Sequence, residues 1–249
     1  MPVSTQPMLP VLALDTSTEI IAAGLQTGRA AFHAQMPGGA RASQALLPCL
    51  QGLLADAGLH WADLRSIAFG RGPGAFTGLR TACAVAQGLG LGLALPLLPL
   101  DSLLIVAEDA HAQAGAPDSF DIGVLMDARM DEVYAARYQW QHGHWAVLQA
   151  PALLTPAALH GLWQGHPPQA CAGSALLPVA ARLTLPPLPP ETERYPQEQQ
   201  RAAAVLRLAV RAAQAGAAVD AAEALPLYLR DKVALTTAER AAVRSGAPA

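Results

Sequence analysis

The chain has 249 residues, 52% apolar and 14% charged, which excludes a disordered, highly charged polymer and allows one or two domains. Sixteen basic and 19 acidic side chains leave a formal charge of −3, so there is no global footprint for nucleic acid and any RNA contact must be local. The longest stretch without a polar side chain, Gly88 to Leu100, has 13 residues and is broken by Pro96 and Pro99, short of the roughly 20 of a membrane span.

Val11 to Asp15 is an apolar run ending in an acid, followed by the turn Thr16 to Glu19 and a second run, Ile20 to Gln26. This predicts an opening β-hairpin. From Arg41 to Leu59, apolar residues at 46, 47, 50, 53, 54 and 57 predict an amphipathic helix, with Ser43 as N-cap, a bend at Pro48 and a stop at Gly58. Ser66 to Phe69 reads as a short buried strand. The glycine-rich loop Gly70 to Thr77 leads into a helix over 78–94, with Thr77 as N-cap. Gly78, Ala82, Ala86, Gly90 and Ala94 form a stripe of small residues along it, against which another backbone could come close. A further helix covers Asp101 to His111.

The opening pattern then returns. Ile122 to Asp127 is an apolar run ending in an acid, Ala128 to Asp131 the turn, and Glu132 to Gln139 the second strand, 112 residues after the first copy. Such self-similarity suggests two related domains in tandem. Leu183 to Pro196, with two Pro-Pro pairs, predicts an extended surface segment. Glu198 to Ala218 predicts a helix with Arg207, Arg211 and Gln214 on one face. Leu225 to Arg230 reads as a short extended element, and residues beyond Glu239 are expected to fray.

Two motifs can be read in two ways each. Asp15-Thr-Ser-Thr18 at a hairpin tip could hold a hydrated magnesium ion and a phosphate, or could form a local Asx turn. The Gly70–Thr77 loop could offer backbone N–H groups to an anion, or its glycines could serve turn geometry alone; no Gly-Lys-Ser/Thr closes it as a Walker A loop. The seven histidines include no H-x-x-x-H pair, and no G-x-S-x-G elbow exists, so a peptidase or other hydrolase finds no constellation. Cys49, Cys83 and Cys171 sit in apolar settings and read as buried, inert thiols.

Leu12-Ala-Leu-Asp-Thr-Ser-Thr18, Gly70-Arg-Gly-Pro-Gly-Ala-Phe-Thr-Gly-Leu-Arg80, Met126 to Tyr134 and Pro226-Leu-Tyr-Leu-Arg230 together resemble the bacterial TsaB (YeaZ) family. The resemblance implies an α/β chain of the actin/Hsp70/sugar-kinase (ASKHA) type: two duplicated α/β domains with mixed sheets flanked by helices. It divides the chain into 1–105, which carries the partner-binding helices, 106–222, and a C-terminal segment 223–249 that folds back on the first part. The family's role is that of a non-catalytic scaffold in making threonylcarbamoyladenosine beside the tRNA anticodon. Its partners are TsaD, which carries the metal and the transfer chemistry through an H-x-x-x-H pair, and the ATPase TsaE. tRNA is met only through the complex, and the subunit forms a homodimer when alone.

Carried onto this chain, the family's dimer face comprises Arg41, Ser43, Leu46, Leu47, Leu50 and Leu54 on the first helix, and Thr77, Leu79, Arg80, Cys83 and Gln87 on the second. Both helices could instead face their own sheet, and the two readings are compatible. A vestigial nucleotide or phosphate site would use Asp15, Thr16, Ser17, Gly72, Gly74 and Gly173. No catalytic or metal residue is expected and no cofactor is held by this chain alone, ATP and magnesium entering at the level of the complex. One departure stands out: many family members have a histidine where this chain has Ala42. The alternative is an actin-like ATPase or small-molecule kinase using Asp15 and the Gly70–Thr77 loop. Met1 to Pro10 carries no basic side chain before the first apolar run and does not read as a secretory signal, so a cytoplasmic protein is expected.

Overall fold

The structure, a computed structural model, describes residues 8–177, 183–185 and 187–230. Strand β1 (Val11–Asp15) pairs antiparallel with β2 (Ile20–Gln26), which pairs with β3 (Ala31–Pro37); on its other side β1 lies parallel to β4 (Ser66–Gly72) and β4 to β5 (Leu97–Asp101). The sheet order is β3-β2-β1-β4-β5. The second sheet repeats this plan. Strand β6 (Ser119–Asp127) pairs antiparallel with β7 (Val133–Gln141), β7 with β8 (His144–Leu154), and β6 runs parallel to β9 (Ala170–Ala172) and β9 to β10 (Glu193–Tyr195). Read from its far edge the order is β8-β7-β6-β9-β10, so the two hairpins seen in the sequence are the central strands of two copies of one sheet. This is the ASKHA-type α/β fold, with Asp15 and Asp127 each ending a central strand.

Helix α1 (Ala42–Asp56) joins β3 to β4, and α2 (Phe76–Leu93) joins β4 to β5. They cover one face of the first sheet, where Leu12, Leu14 and Phe69 meet Leu46, Leu50, Leu54, Ala82 and Ala86. The other face carries Val11, Ala13, Ala22, Ala68 and Leu98, and it is covered by α5 (Arg201–Gln214) through Ala202, Val205, Leu206 and Ala209. With both faces buried, the strands read as continuous apolar runs rather than as alternating patterns. Helix α3 (Ser102–Gln113) follows the first sheet but packs on the second, against Ile122, Val124 and Ala136. The short α4 (Pro156–Trp163) covers that sheet's far face with Leu159 and Trp163.

Several local expectations need correction. Ser43 does not cap α1: the N-cap is Arg41, which makes no side-chain cap bond. Helix α2 begins at Phe76 with Ala75 as N-cap, so Thr77 lies inside the first turn, where its carbonyl accepts from Thr81 Oγ1 at 3.0 Å. The proline-rich segment contains an edge strand, β10, because its backbone pairs with β9. Helix α5 starts three residues late, since Asp109 takes the N–H groups of Gln199 and Gln200 (2.9 and 2.8 Å) and caps it from another helix. Leu225 to Arg230 joins no sheet, although Leu227 N–H donates to the Arg71 carbonyl at 2.7 Å, so the segment lies against the end of β4. The chain division at residue 105 falls within α3. The tail beyond Glu239, and Lys232, the only lysine in the chain, lie outside the described residues.

Candidate functional site

The place where an actin-like cleft would hold a nucleotide is built from the β1–β2 turn, the loop after β4 and the start of α5. Asp15 is fully buried. Its Oδ1 accepts from the Ser17 N–H at 3.1 Å, the Ser17 hydroxyl at 2.9 Å and Arg201 Nε at 2.9 Å. Its Oδ2 accepts from the Ser102 hydroxyl at 3.1 Å, and Ser102 in turn takes the Gly72 N–H at 3.0 Å. Arg201 also donates from Nη2 to Ser17 Oγ at 2.8 Å and pairs with Glu198 through Nη1.

The electrostatics follow from burial. Leaving water disfavours the charge on Arg201, but the fields and hydrogen bonds of Asp15 and Glu198 outweigh that and raise its pKa. Burial pushes the Glu198 carboxyl up, against the pull of Arg201. A hydrated divalent cation on Asp15 would need open coordination sites and room for its waters. The guanidinium of Arg201 stands there instead, hydrogen-bonded to the same carboxylate. The residues present do not fit a nucleotide-bound cation.

The glycine loop is explained by the same crowding. A Cβ on Gly70 would collide with Asp15 Oδ2, and one on Gly78 with the Thr16 carbonyl oxygen. Thr16 Oγ1 donates to the Gly78 carbonyl at 2.7 Å, and the Ala75 N–H donates to the Ser17 carbonyl at 2.8 Å. Gly72 and Gly74 belong to this contact: Gly72 gives its N–H to Ser102, and Gly74 lies against Ser17. The loop closes on the first hairpin through the Ala75 N–H and the Gly78 carbonyl. In the second half, the Gly173 N–H donates to the Tyr195 carbonyl at 3.0 Å, and Ser174 Oγ accepts from the Asp127 N–H at 3.1 Å, so this stretch fastens β6 to β10. Of the proposed phosphate residues, the structure brings Asp15, Thr16, Ser17, Gly72 and Gly74 together; Gly173 belongs to the second sheet.

The two outer helices present a different surface. Leu46, Leu50, Leu54, Leu79 and Cys83 are buried in the core of this chain and have no free surface for a partner. The small-residue stripe also faces inward except at its end: Gly78, Ala82, Ala86 and Gly90 are buried, with Gly90 against Leu97 and Ala221, whereas Ala94 is the exposed C-cap. Arg41, Ser43, Thr77 and Arg80 are exposed, and Leu47 is 45% exposed. Gln87 is half-buried and donates to the Ala224 carbonyl at 2.7 Å. Ala42 is packed in the core, which leaves Arg41 as the exposed group at the head of α1.

Tyr228 and Leu225, absent from the expected interface, border this surface. The Arg80 guanidinium lies 3.8 Å above the Phe76 ring and donates from Nε to the Tyr228 hydroxyl at 3.1 Å; the two rings are 5.0 Å apart. Tyr228 is 42% exposed, with Leu225 and Leu91 more exposed still. The available signal was the Pro226-Leu-Tyr-Leu-Arg230 motif. Arg230 anchors that segment to the second sheet by donating from Nη2 to the Ala128 carbonyl at 3.0 Å and to Glu132 at 2.6 Å. The turn it holds contains three successive left-handed residues, Arg129, Met130 and Asp131. The three cysteines are buried, and burial raises their pKa values, that of Cys171 to about 12, as expected of inert thiols.

A family model described as "TsaD: tRNA N6-adenosine threonylcarbamoyltransferase" matches residues 38–237. The tRNA threonylcarbamoyladenosine biosynthesis protein TsaB of Escherichia coli is 36% identical over 152 residues, 60% of this chain and 64% of that one. The Haemophilus influenzae protein of the same name is 37% identical over 126 residues, 51% and 52% of the two chains. The match thus spans between half and two thirds of these curated relatives. The solved structure of YeaZ from Pseudomonas aeruginosa is 36% identical with a TM-score of 0.75, covering 88% of this chain and 99% of that one.

Proposed function

The chain belongs to the TsaB/YeaZ family, and from this premise we propose that it serves tRNA threonylcarbamoyladenosine biosynthesis as a non-catalytic subunit that docks on TsaD. The observation that carries the non-catalytic reading is the buried Asp15–Arg201 pair: the carboxylate that an actin-like ATPase would turn toward a metal-bound nucleotide is satisfied internally on both oxygens. The ATPase alternative would require this pair to come apart, and breaking a buried ion pair costs about 3–5 kcal/mol.

The docking face is formed by Arg41, Ser43 and Leu47 on α1, Thr77 and Arg80 on α2, and Tyr228 and Leu225 from the C-terminal segment. It combines exposed apolar side chains with arginine and tyrosine, the composition that anchors protein interfaces. The same face serves self-association when the partner is absent. TsaE and tRNA meet this subunit only in the assembled complex. Among the described residues no helix is long and apolar enough to cross a membrane.

Size-exclusion chromatography with light scattering, on the protein alone and mixed with TsaD of the same organism, tests this. A mixed complex that displaces the homodimer, and that Leu47→Asp and Arg80→Glu weaken, supports the reading. No complex with or without nucleotide and TsaE, or binding of magnesium-ATP by the purified chain, overturns it.

A further inference from the structure

The arginine face of α5 has no part in the docking surface. Arg207 and Arg211 lie one helical turn apart and share one carboxylate, Glu108 of α3, which is itself 1% exposed. Arg207 donates to Glu108 Oε1 at 2.5 Å and to the Glu108 carbonyl at 3.2 Å; Arg211 donates to Oε2 at 2.6 Å. The Trp145 indole N–H, 2.7 Å from Oε2, completes the shell, and Arg211 stacks 4.6 Å above the Trp140 ring. A guanidinium has five N–H donors, so Glu108 fixes both groups without exhausting either.

These two side chains, about one third exposed, line a groove of about 390 Å³ between α5 and the β2–β3 hairpin. Ala203 and Val210 give it apolar surface, and Gln214 and His33 also line it. Burial, and then the field of Arg207, lower the His33 pKa, so the groove's positive charge comes from the arginines. Two cations against one buried carboxylate leave a surplus of one positive charge, on a protein whose overall charge is −3.

We propose that this groove is a binding site for a phosphate ester, held by the free donors of Arg207 and Arg211 with its organic part against Ala203 and Val210. Fixed guanidinium forks suit tetrahedral oxyanions, and their geometry is already set before binding by Glu108 and Trp140. The phosphate comes either from a free nucleotide or from an RNA backbone. The RNA source rests on the pathway reading above; the free-nucleotide source does not. This site lies on the face of the first sheet opposite α1 and α2, so a partner on that docking face leaves it open.

Isothermal titration of the full chain with adenosine 5′-monophosphate, and separately with an RNA hairpin, tests the proposal. Arg211→Gln should weaken binding roughly tenfold or more, the loss of a charge-assisted hydrogen bond. Glu108 keeps Arg207 and Trp145 in that variant, and a thermal melt checks the fold. Gln214→Glu, an exposed change that adds a negative charge at the rim, should weaken binding independently. Arg129→Gln, an exposed cation outside the groove, should change nothing. Binding of the monophosphate assigns the site to free nucleotides, and binding of the hairpin alone assigns it to RNA. No binding of either probe at millimolar concentration, equal affinity in Arg211→Gln and Gln214→Glu, or an equal loss in Arg129→Gln overturns the proposal.

Discussion

Gly70 has no room for a side chain because the carboxylate of Asp15 lies where its Cβ would be. The two residues sit on neighbouring parallel strands, and the missing side chain leaves Asp15 room to reach both Ser102 and Arg201. Gly70→Ala should therefore push Asp15 off Ser102 or Arg201. Overpacking of this kind costs about 1–3 kcal/mol, here added to damaged buried polar bonds. Urea unfolding should show a midpoint well below wild type; an unchanged midpoint would mean the turn yields freely.

The Asp15–Arg201 pair predicts strong coupling. Asp15→Asn and Arg201→Met should each destabilise by about 3–5 kcal/mol, since each leaves a buried charge or donor without its partner. The double variant should lose clearly less than the sum. Additive losses in the double-mutant cycle would show that the pair is not a unit.

Glu198 predicts a pH effect. Burial raises its folded-state pKa above the usual 4.5, so its contribution favours folding below that value and is lost as pH rises through the raised one. Replacing it with glutamine removes this term. The stability of Glu198→Gln relative to wild type should rise as pH increases from about 4.5 into the range above it. A pH-independent difference between the two proteins would count against the shifted carboxyl.

Leu47 and Leu50 lie one turn apart with opposite fates. Leu47→Asp should change stability by no more than about 0.5 kcal/mol and weaken partner binding. Leu50→Asp puts a charge in the core and should prevent folding, so it says nothing about the interface. Equal melting temperatures for the two variants would contradict this burial.

Arg80 couples α2 to the C-terminal segment. Arg80→Ala and Tyr228→Phe should each cost about 0.5–1 kcal/mol, from a cation–π contact and an exposed hydrogen bond. Their cycle should show an interaction energy, because the hydrogen bond is shared. Chemical denaturation with both single variants and the double one measures it.

The sequence made the two hairpins, α1 to α3, the rough extent of α5 and the duplicated plan legible, because those strands are largely apolar runs and α1 and α2 carry periodic stripes. A hairpin tip at His142 to His144 was legible and joins β7 to β8. The sequence did not show β3, a sheet edge whose exposed and half-buried residues dilute the pattern, and β10 was hidden by prolines around three paired residues. At the cleft, Asp15 and the glycine loop were visible as a unit, but its partner Arg201 lies 186 residues away and no local pattern links them. On the proposed docking face, helical spacing alone cannot tell which of Leu46, Leu47 and Leu50 points inward, because a wide apolar stripe has two edges. Tyr228 was in view as part of a motif, and only the fold places it on Arg80.

The positions of α3 and α5 reach beyond the site. Each helix follows one sheet in the chain and buries its apolar side on the other sheet. A polypeptide ending after α3 would leave the face that α5 covers bare, and would expose the side of α3 that carries Val106, Ala107 and Ala110. Two such half-length polypeptides could cure both defects by trading their last helices, as domain-swapped dimers do. In the present chain each half supplies the helix that covers the other half's sheet, and the two sheets share one strand order.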